Sequence, residues 1–391
     1  MTDEWLKLKQ EMKAAAKELG IDTVGVASAE PFTILKERLI RHRELGRESG
    51  FEEPDLDKRT DPSLLFDKPK SIIAIAVAYP SKLIDPPKSE PGARRGIMSR
   101  SAWGEDYHKV LRDRLARLEA WLRERVPGFR SESMVDTGEL SDRAVAERAG
   151  IGWSAKNCSI ISPELGSWIY LGEMITNLPL PPDVPVTEGC GTCTKCIDAC
   201  PTNALVGPGE LDAQRCISFV TQTKGMVSDE FMRKIGNRLY GCDTCQVVCP
   251  VNRGKNWTQH PELQPDVELA KPLLTPLLTI GNKEFKERYG FTSSAWRGKK
   301  PIQRNAVIAL GNFKEASAVP DLIGVLQSDP RPVLRGTAAW SLGRIGSPLG
   351  EEALRLAFEK EQDAEARDMI ANALAMLEKS LMGGEKEHDG D

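Results

Sequence analysis

The stretch that decides the organisation of this 391-residue chain is CGTCTKCIDACP, Cys190–Pro201. Two-residue gaps separate Cys190, Cys193 and Cys196, and a three-residue gap leads to Cys200 and Pro201. The short gaps curl the backbone so that three thiolates converge, while the longer gap sends the fourth away toward a second centre. That geometry demands a partner run. One is present: Cys216, then CDTCQVVCP at Cys242–Pro250. Disulfides are unexpected in a reducing cytosol, so this cluster of thiols reads as metal-binding or redox-active.

The ligand count closes. One 4Fe-4S cluster takes Cys190, Cys193, Cys196 and Cys249; the other takes Cys216, Cys242, Cys245 and Cys200. This is the spacing of bacterial two-cluster ferredoxins, proline after the last cysteine included. Thiolate tetrads also hold structural zinc. Zinc accounts for paired C-x-x-C units but not for the third close cysteine or for the Cys-Pro ending of both runs. Of nine cysteines, only Cys158 is left over. Such a module carries electrons without saying what they reduce, so the substrate chemistry belongs elsewhere in the chain.

Composition narrows the setting. The chain is 40% hydrophobic and 28% charged, with a net charge of −4, which is ordinary for a globular protein. The longest apolar stretch, Ile72–Tyr79, falls well short of the ~20 residues of a membrane span. The first residues form a charged amphipathic helix without the apolar core of a signal peptide, so a cytoplasmic protein is expected. Net charge offers no general attraction to nucleic acid; any such binding needs a local basic patch.

Outside the cysteine runs, residues 1–180 read as α/β. A helical period marks Glu4–Leu19; Ile21–Ala27 and Ser71–Tyr79 read as buried strands, and Tyr107–Val126 as an amphipathic helix. A strand at Ser133–Asp136 ends in a turn, Asp142–Ala149 is a helix, and strands follow at Asn157–Ser162 and Ser167–Thr176. The proline-rich Leu178–Val186 is a linker into the ferredoxin-like segment, 181–265. Beyond it the sequence repeats. A shift of 32 residues aligns Ile302, Ala306, Leu310 and Gly311 with Leu334, Ala338, Leu342 and Gly343. A second shift brings Arg335, Ala339 and Leu342 onto Arg367, Ala371 and Leu374. Segment 266–391 is therefore expected to be an all-α, HEAT-like repeat domain. Seven basic and two acidic residues between Lys283 and Arg304 give it a positive entrance, with Tyr289 and Trp296 among the charges. A solvated helix face and a phosphate-binding surface are both open readings of such a run.

Several stretches together resemble one family. They are VDTGELSDRAVAERAGIGWSAKNCSIISPELGSWIYLGEMIT (Val135–Thr176), SRSAWGEDYHKVLRDRL (Ser99–Leu115), RCISFVTQTKG (Arg215–Gly225) and GNRLYGCDTCQVVCP (Gly236–Pro250). With the double cysteine run, they look like epoxyqueuosine reductase, a family related to the reductive dehalogenases. The resemblance covers the chain from the first helix to the repeats. It implies reduction of epoxyqueuosine to queuosine at the wobble position of tRNA, using cobalamin and two 4Fe-4S clusters, with residues 1–180 as the α/β cobalamin-binding domain. It also implies a tRNA anticodon stem-loop as partner and a low-potential donor such as flavodoxin or ferredoxin. We expect a monomer.

The resemblance assigns residues as well. Asp136 matches the proposed proton donor, although Asp before Thr-Gly most often caps a turn. Arg59, Tyr107, His108, Asp136 and the segment Lys156, Asn157, Cys158, Ser159 are expected at the cobalamin; Ala155 stands where the family commonly has glycine. No DxHxxG motif is present, and His42, His108, His260 and His388 form no ligand set, which agrees with a cobalt free of protein ligands. Arg297, Lys299, Lys300 and Arg304 are the expected tRNA contacts. A dehalogenase-like reductase of a small molecule and a ferredoxin-type electron carrier are the alternatives.

Overall fold

The run SIIAIAVA forms β2 (Ser71–Ala78), buried at every position. With β1 (Thr23–Ser28), β3 (Ser131–Met134) and β4 (Ile169–Thr176) it builds a sheet of order β1-β2-β4-β3. All three pairings are antiparallel. The expected α/β class is therefore corrected to α+β. A continuous apolar run signals burial on both faces, which helices covering an antiparallel sheet impose as well as βαβ crossovers do.

Both faces are covered. Ile73, Ile75 and Val77 pack with Leu8 and Met12 of α1 (Thr2–Ala15) and with Leu111, Leu115, Leu118 and Leu122 of α3 (Tyr107–Arg125). Ile72, Ala74, Ala76 and Ala78 face the other way, onto Leu35 of α2 (Thr33–Glu44) and Val145 and Ala146 of α4 (Asp142–Arg148). Helix α2 has no counterpart in the sequence reading.

The structure is a computed structural model that describes residues 2–382; His388 lies outside them. Three consecutive segments were expected, whereas the chain divides into two interleaved units. The first is Met1–Lys82, Gly104–Cys216 and Asp243–Pro265; the second is Leu83–Trp103, Ile217–Cys242 and Asp266–Asp391. In the first unit the proline-rich linker is pinned. Asp183 accepts from the Val26 amide at 2.9 Å and from Lys13 Nζ at 2.7 Å. The loop after Pro250 is also held in that unit, with Trp257 Nε1 donating to the Leu165 carbonyl at 3.0 Å.

In the second unit α5 (Lys299–Asn312), α6 (Val319–Ser328), α7 (Pro332–Ile345), α8 (Pro348–Lys360) and α9 (Ala364–Met382) follow in order, with α7 packed against α5, α6 and α9. The repeated glycine has a packing reason. A Cβ on Gly311 would lie 2.6 Å from Ser341 Oγ, and one on Gly343 would lie 3.0 Å from Ala373, so each lets its helix approach the next. Among the described residues no helix is long and apolar enough to cross a membrane.

Candidate active site and cluster loops

Asp136 follows β3 on the VDTG turn and adopts φ 52°, a left-handed conformation that Asp tolerates better than most residues. Its amide donates to Asp142 Oδ2 at 2.8 Å, and Arg112 braces the turn by donating to Thr137 Oγ1 at 3.2 Å. The Asp136 side chain remains 59% exposed, open to a substrate.

His108, in the first turn of α3, stands beside it. Its Nε2 lies 3.3 Å from Asp136 Oδ2 and its Nδ1 lies 2.7 Å from Asp106 Oδ1. Burial works against a charged ring, but the hydrogen bonds the ring donates to both carboxylates outweigh it, and the His108 pKa is pushed up to about 9. The hydrogen bond to His108, helped by Tyr107, holds the Asp136 carboxyl below its ordinary range despite partial desolvation. Without substrate the pair is therefore imidazolium and carboxylate at neutral pH. Rings stack behind it: Tyr107 on His108 at 4.2 Å and on Tyr170 at 4.6 Å, then Tyr170 on Tyr79 at 4.3 Å.

Beneath the turn lie two carboxyls absent from the sequence reading. Glu173, in the middle of β4, is 1% exposed, and neither of its oxygens has a hydrogen-bond donor. Burial, with Asp142 and Asp136 nearby, pushes its pKa well up. Burial likewise raises Asp142 to about 6. A glutamate inside the apolar strand IYLGEMIT was the available signal for Glu173; Asp142, six residues from Asp136 in sequence, carried none.

The loop 155–159 connects this region to the cysteines. Arg143 of α4, whose charge acts on Asp136 and on Arg59, donates to the Cys158 carbonyl at 2.7 Å. Lys156 Nζ donates to the Gly191 carbonyl at 2.7 Å and the Cys193 carbonyl at 3.0 Å, and Asn157 Nδ2 to the Cys245 carbonyl at 3.4 Å. Ser159 donates its amide to Asn157 Oδ1 at 3.2 Å. Cys158 has φ 64°, and burial pushes its thiol up.

Both cysteine runs fold alike, each with a one-turn helix, Lys195–Asp198 and Thr244–Val247. Burial raises the Cys196 thiol, and the Cys190 and Cys249 sulfurs facing it add to the effect; three ligands of the first expected cluster thus converge. At Cys200 burial is outweighed by the amides of Leu205, Thr202 and Ala204, the last 3.2 Å from Sγ, which favour the thiolate. This donor set fits a thiolate-ligated cluster. Among the described residues no group of three or more His, Cys, Asp or Glu is placed to hold a single metal ion.

Comparison with known proteins accords with these features. Residues 59–137 match the family described as Epoxyqueuosine reductase QueG, DUF1730; residues 189–252 match the 4Fe-4S double cluster binding domain; residues 297–375 match HEAT repeats. The epoxyqueuosine reductase of Bacillus anthracis is 62% identical over 371 residues, 95% of this chain and 98% of that protein. That of Bacillus subtilis is 60% identical over 376 residues, 96% of this chain and 97% of that protein. The chain belongs to the epoxyqueuosine reductase family. A crystal structure of a selenomethionine-labelled epoxyqueuosine reductase superposes with TM-score 0.94 at 60% identity, covering 95% of this chain and all of that one. Another, of epoxyqueuosine reductase with an epoxyqueuosine-modified tRNA-Tyr stem loop, gives TM-score 0.93 at 59% identity over 96% of this chain and 100% of that one. As an epoxyqueuosine reductase the chain is an oxidoreductase carrying two 4Fe-4S clusters.

The expected tRNA contacts of this reductase divide. Arg304 is corrected: it is 1% exposed and donates to the Val220, Thr223 and Gly225 carbonyls, each at 2.8 Å. It fastens the 217–225 segment and reaches no phosphate. Tyr289 is buried too. Lys299 Nζ donates to the Ile280 carbonyl at 2.6 Å and Arg297 Nε to the Gln222 carbonyl at 3.2 Å. Lys300 is exposed, and Trp296 is 53% exposed.

Proposed function

We propose that this chain reduces epoxyqueuosine to queuosine at the wobble position of tRNA, the last step of queuosine biosynthesis, with cobalamin as the reducing centre fed by the two clusters. The loop 155–159 carries the chemical part of this reading. It is tied on one side to Arg143, which acts on Asp136, and on the other to the Gly191–Cys193 turn. A cofactor lying along it has an acid on one side and an electron source on the other, and the Ser159 hydroxyl, with half-buried Arg59, suits a large polar ligand, while Asn157 is buried and shapes the loop through the Cys245 carbonyl and the Ser159 amide. Tyr107 and His108 supply a flat aromatic wall.

Cobalamin bound there supplies a low-valent cobalt able to reduce an epoxide carbon. The protein's own task is the proton. Converting an epoxide to an alkene takes two electrons and two protons and releases water, and the oxygen leaves poorly unless protonated. Asp136, on an open turn, is the group placed to deliver that proton.

The substrate reading is supported by the relative bound to a modified stem loop. The anticodon stem-loop of tRNA, received in part by Lys300, Lys299 and Arg297, is the proposed partner. A flavodoxin- or ferredoxin-type protein is the proposed donor, and the chain is proposed to work as a monomer in the cytoplasm. Anaerobic incubation of the cluster-loaded protein with cobalamin, a low-potential reductant and tRNA carrying epoxyqueuosine tests this. The nucleoside should lose one oxygen. An unchanged nucleoside with intact clusters contradicts the reading, and failure to bind cobalamin at all favours an electron carrier instead.

A further inference from the structure

The proton that Asp136 must deliver needs a source. Paired with His108, its carboxyl is ionised at neutral pH and has nothing to donate. His108 is fixed on three sides. Asp106, which caps α3 by accepting the His108 amide at 3.1 Å, also holds Nδ1 at 2.7 Å; Tyr107 stacks on the ring; and Nε2 points at Asp136 Oδ2. The Asp–His–Asp line aims the imidazole at a carboxylate that is more than half exposed.

We propose that His108 is the positioning residue that holds the proton for Asp136, and that Asp106 keeps its ring cationic between turnovers. This rests on the function proposed above. In the step, the Nε2–H bond of His108 breaks and an O–H bond to Asp136 forms. The proton then passes to the substrate oxygen, the ring is left neutral, and water returns a proton to it. No electrons move in this transfer. The 3.3 Å separation in the free protein is of the kind that tightens when substrate closes the site. The titratable and charged groups facing the pair are Asp106 and the neutral phenol of Tyr107 around α3, and Asp142 and Arg143 of α4. A ring titrating near 9 is charged at neutral pH and is therefore loaded before each turnover.

The chain has four histidines, so nitrogen-15 NMR of the histidine-labelled holoprotein can follow His108 directly, its signal assigned by its loss in His108→Gln. The ring should titrate near pH 9, and Asp106→Asn should lower this by about one unit or more. The alkaline limb of kcat should move by the same amount, with KM for the tRNA changed less than ~2-fold. His108→Gln should lower kcat at least ~100-fold, measured at saturating cobalamin, while tRNA binding persists. A His108 that titrates as an ordinary imidazole, or a kcat profile unmoved by Asp106→Asn, overturns the proposal. A wild-type protein that converts no epoxyqueuosine contradicts the substrate reading alone, and the NMR arm still decides whether His108 holds the proton.

Discussion

The Asp136 amide donates to Asp142 Oδ2 across 2.8 Å, and this bond holds the acid's turn in its left-handed conformation. Asp142→Ala should release the turn, with stability falling by roughly 1–3 kcal/mol and turnover at least ~10-fold as the acid loses its aim. Asp142→Asn retains an acceptor and should lose much less. Equal losses in the two variants, by thermal melting and steady-state rate, would show that the bond is not the brace.

Glu173 gives a stability prediction with a definite sign. Its pKa is raised in the folded protein, so the native state keeps a proton that the unfolded chain releases. Its contribution is intact below the unfolded pKa and is lost as pH rises toward the folded one. Glu173→Gln removes that dependence. As pH rises above the ordinary carboxylate range, the variant's stability relative to wild type should grow, by at most about 1.4 kcal/mol per pH unit. A difference that stays constant over that rise contradicts the assignment.

Arg304 and Lys300 should part company. Arg304→Ala removes one donor from each of the Val220, Thr223 and Gly225 carbonyls and should cost roughly 3 kcal/mol of stability. Lys300→Ala should leave Tm unchanged, weaken tRNA binding and reduce the slope of log affinity against log salt by about one. Salt-dependent binding isotherms and melting curves for both variants decide this.

The cysteines predict their own contrast. Cys200→Ala should lose a ligand of one cluster and hold roughly half the iron and sulfide of wild type. Cys158→Ala should retain all of both. Iron loss from the Cys158 variant would break the ligand count.

What could be read beforehand follows from what is local. Cluster ligands sit at fixed short spacings, and the repeats show in a recurring glycine and alanine register, so both were legible. The class of the sheet was not, because SIIAIAVA records burial on both faces and carries no strand direction. Arg304 misled because the charge run crosses into α5, where Pro301–Gly311 is buried on every side; a stripe test fails on a helix enclosed by its neighbours. Asp136 was legible only through resemblance, and its partners less so. His108 is 28 residues away in sequence and Glu173 lies on another strand, so only the fold assembles the proton site.

The most direct measurement is a single-turnover assay of Asp136→Asn beside wild type, with both proteins carrying full clusters, cobalamin and epoxyqueuosine-modified tRNA under reductant. Asn tolerates the same left-handed turn, so the comparison isolates the ionisable oxygen. Wild type should form queuosine, and the variant should bind the tRNA with unchanged affinity yet form none beyond ~1% of the wild-type rate. Queuosine formed by the variant at near wild-type rate would contradict Asp136 as the acid and the account built around it.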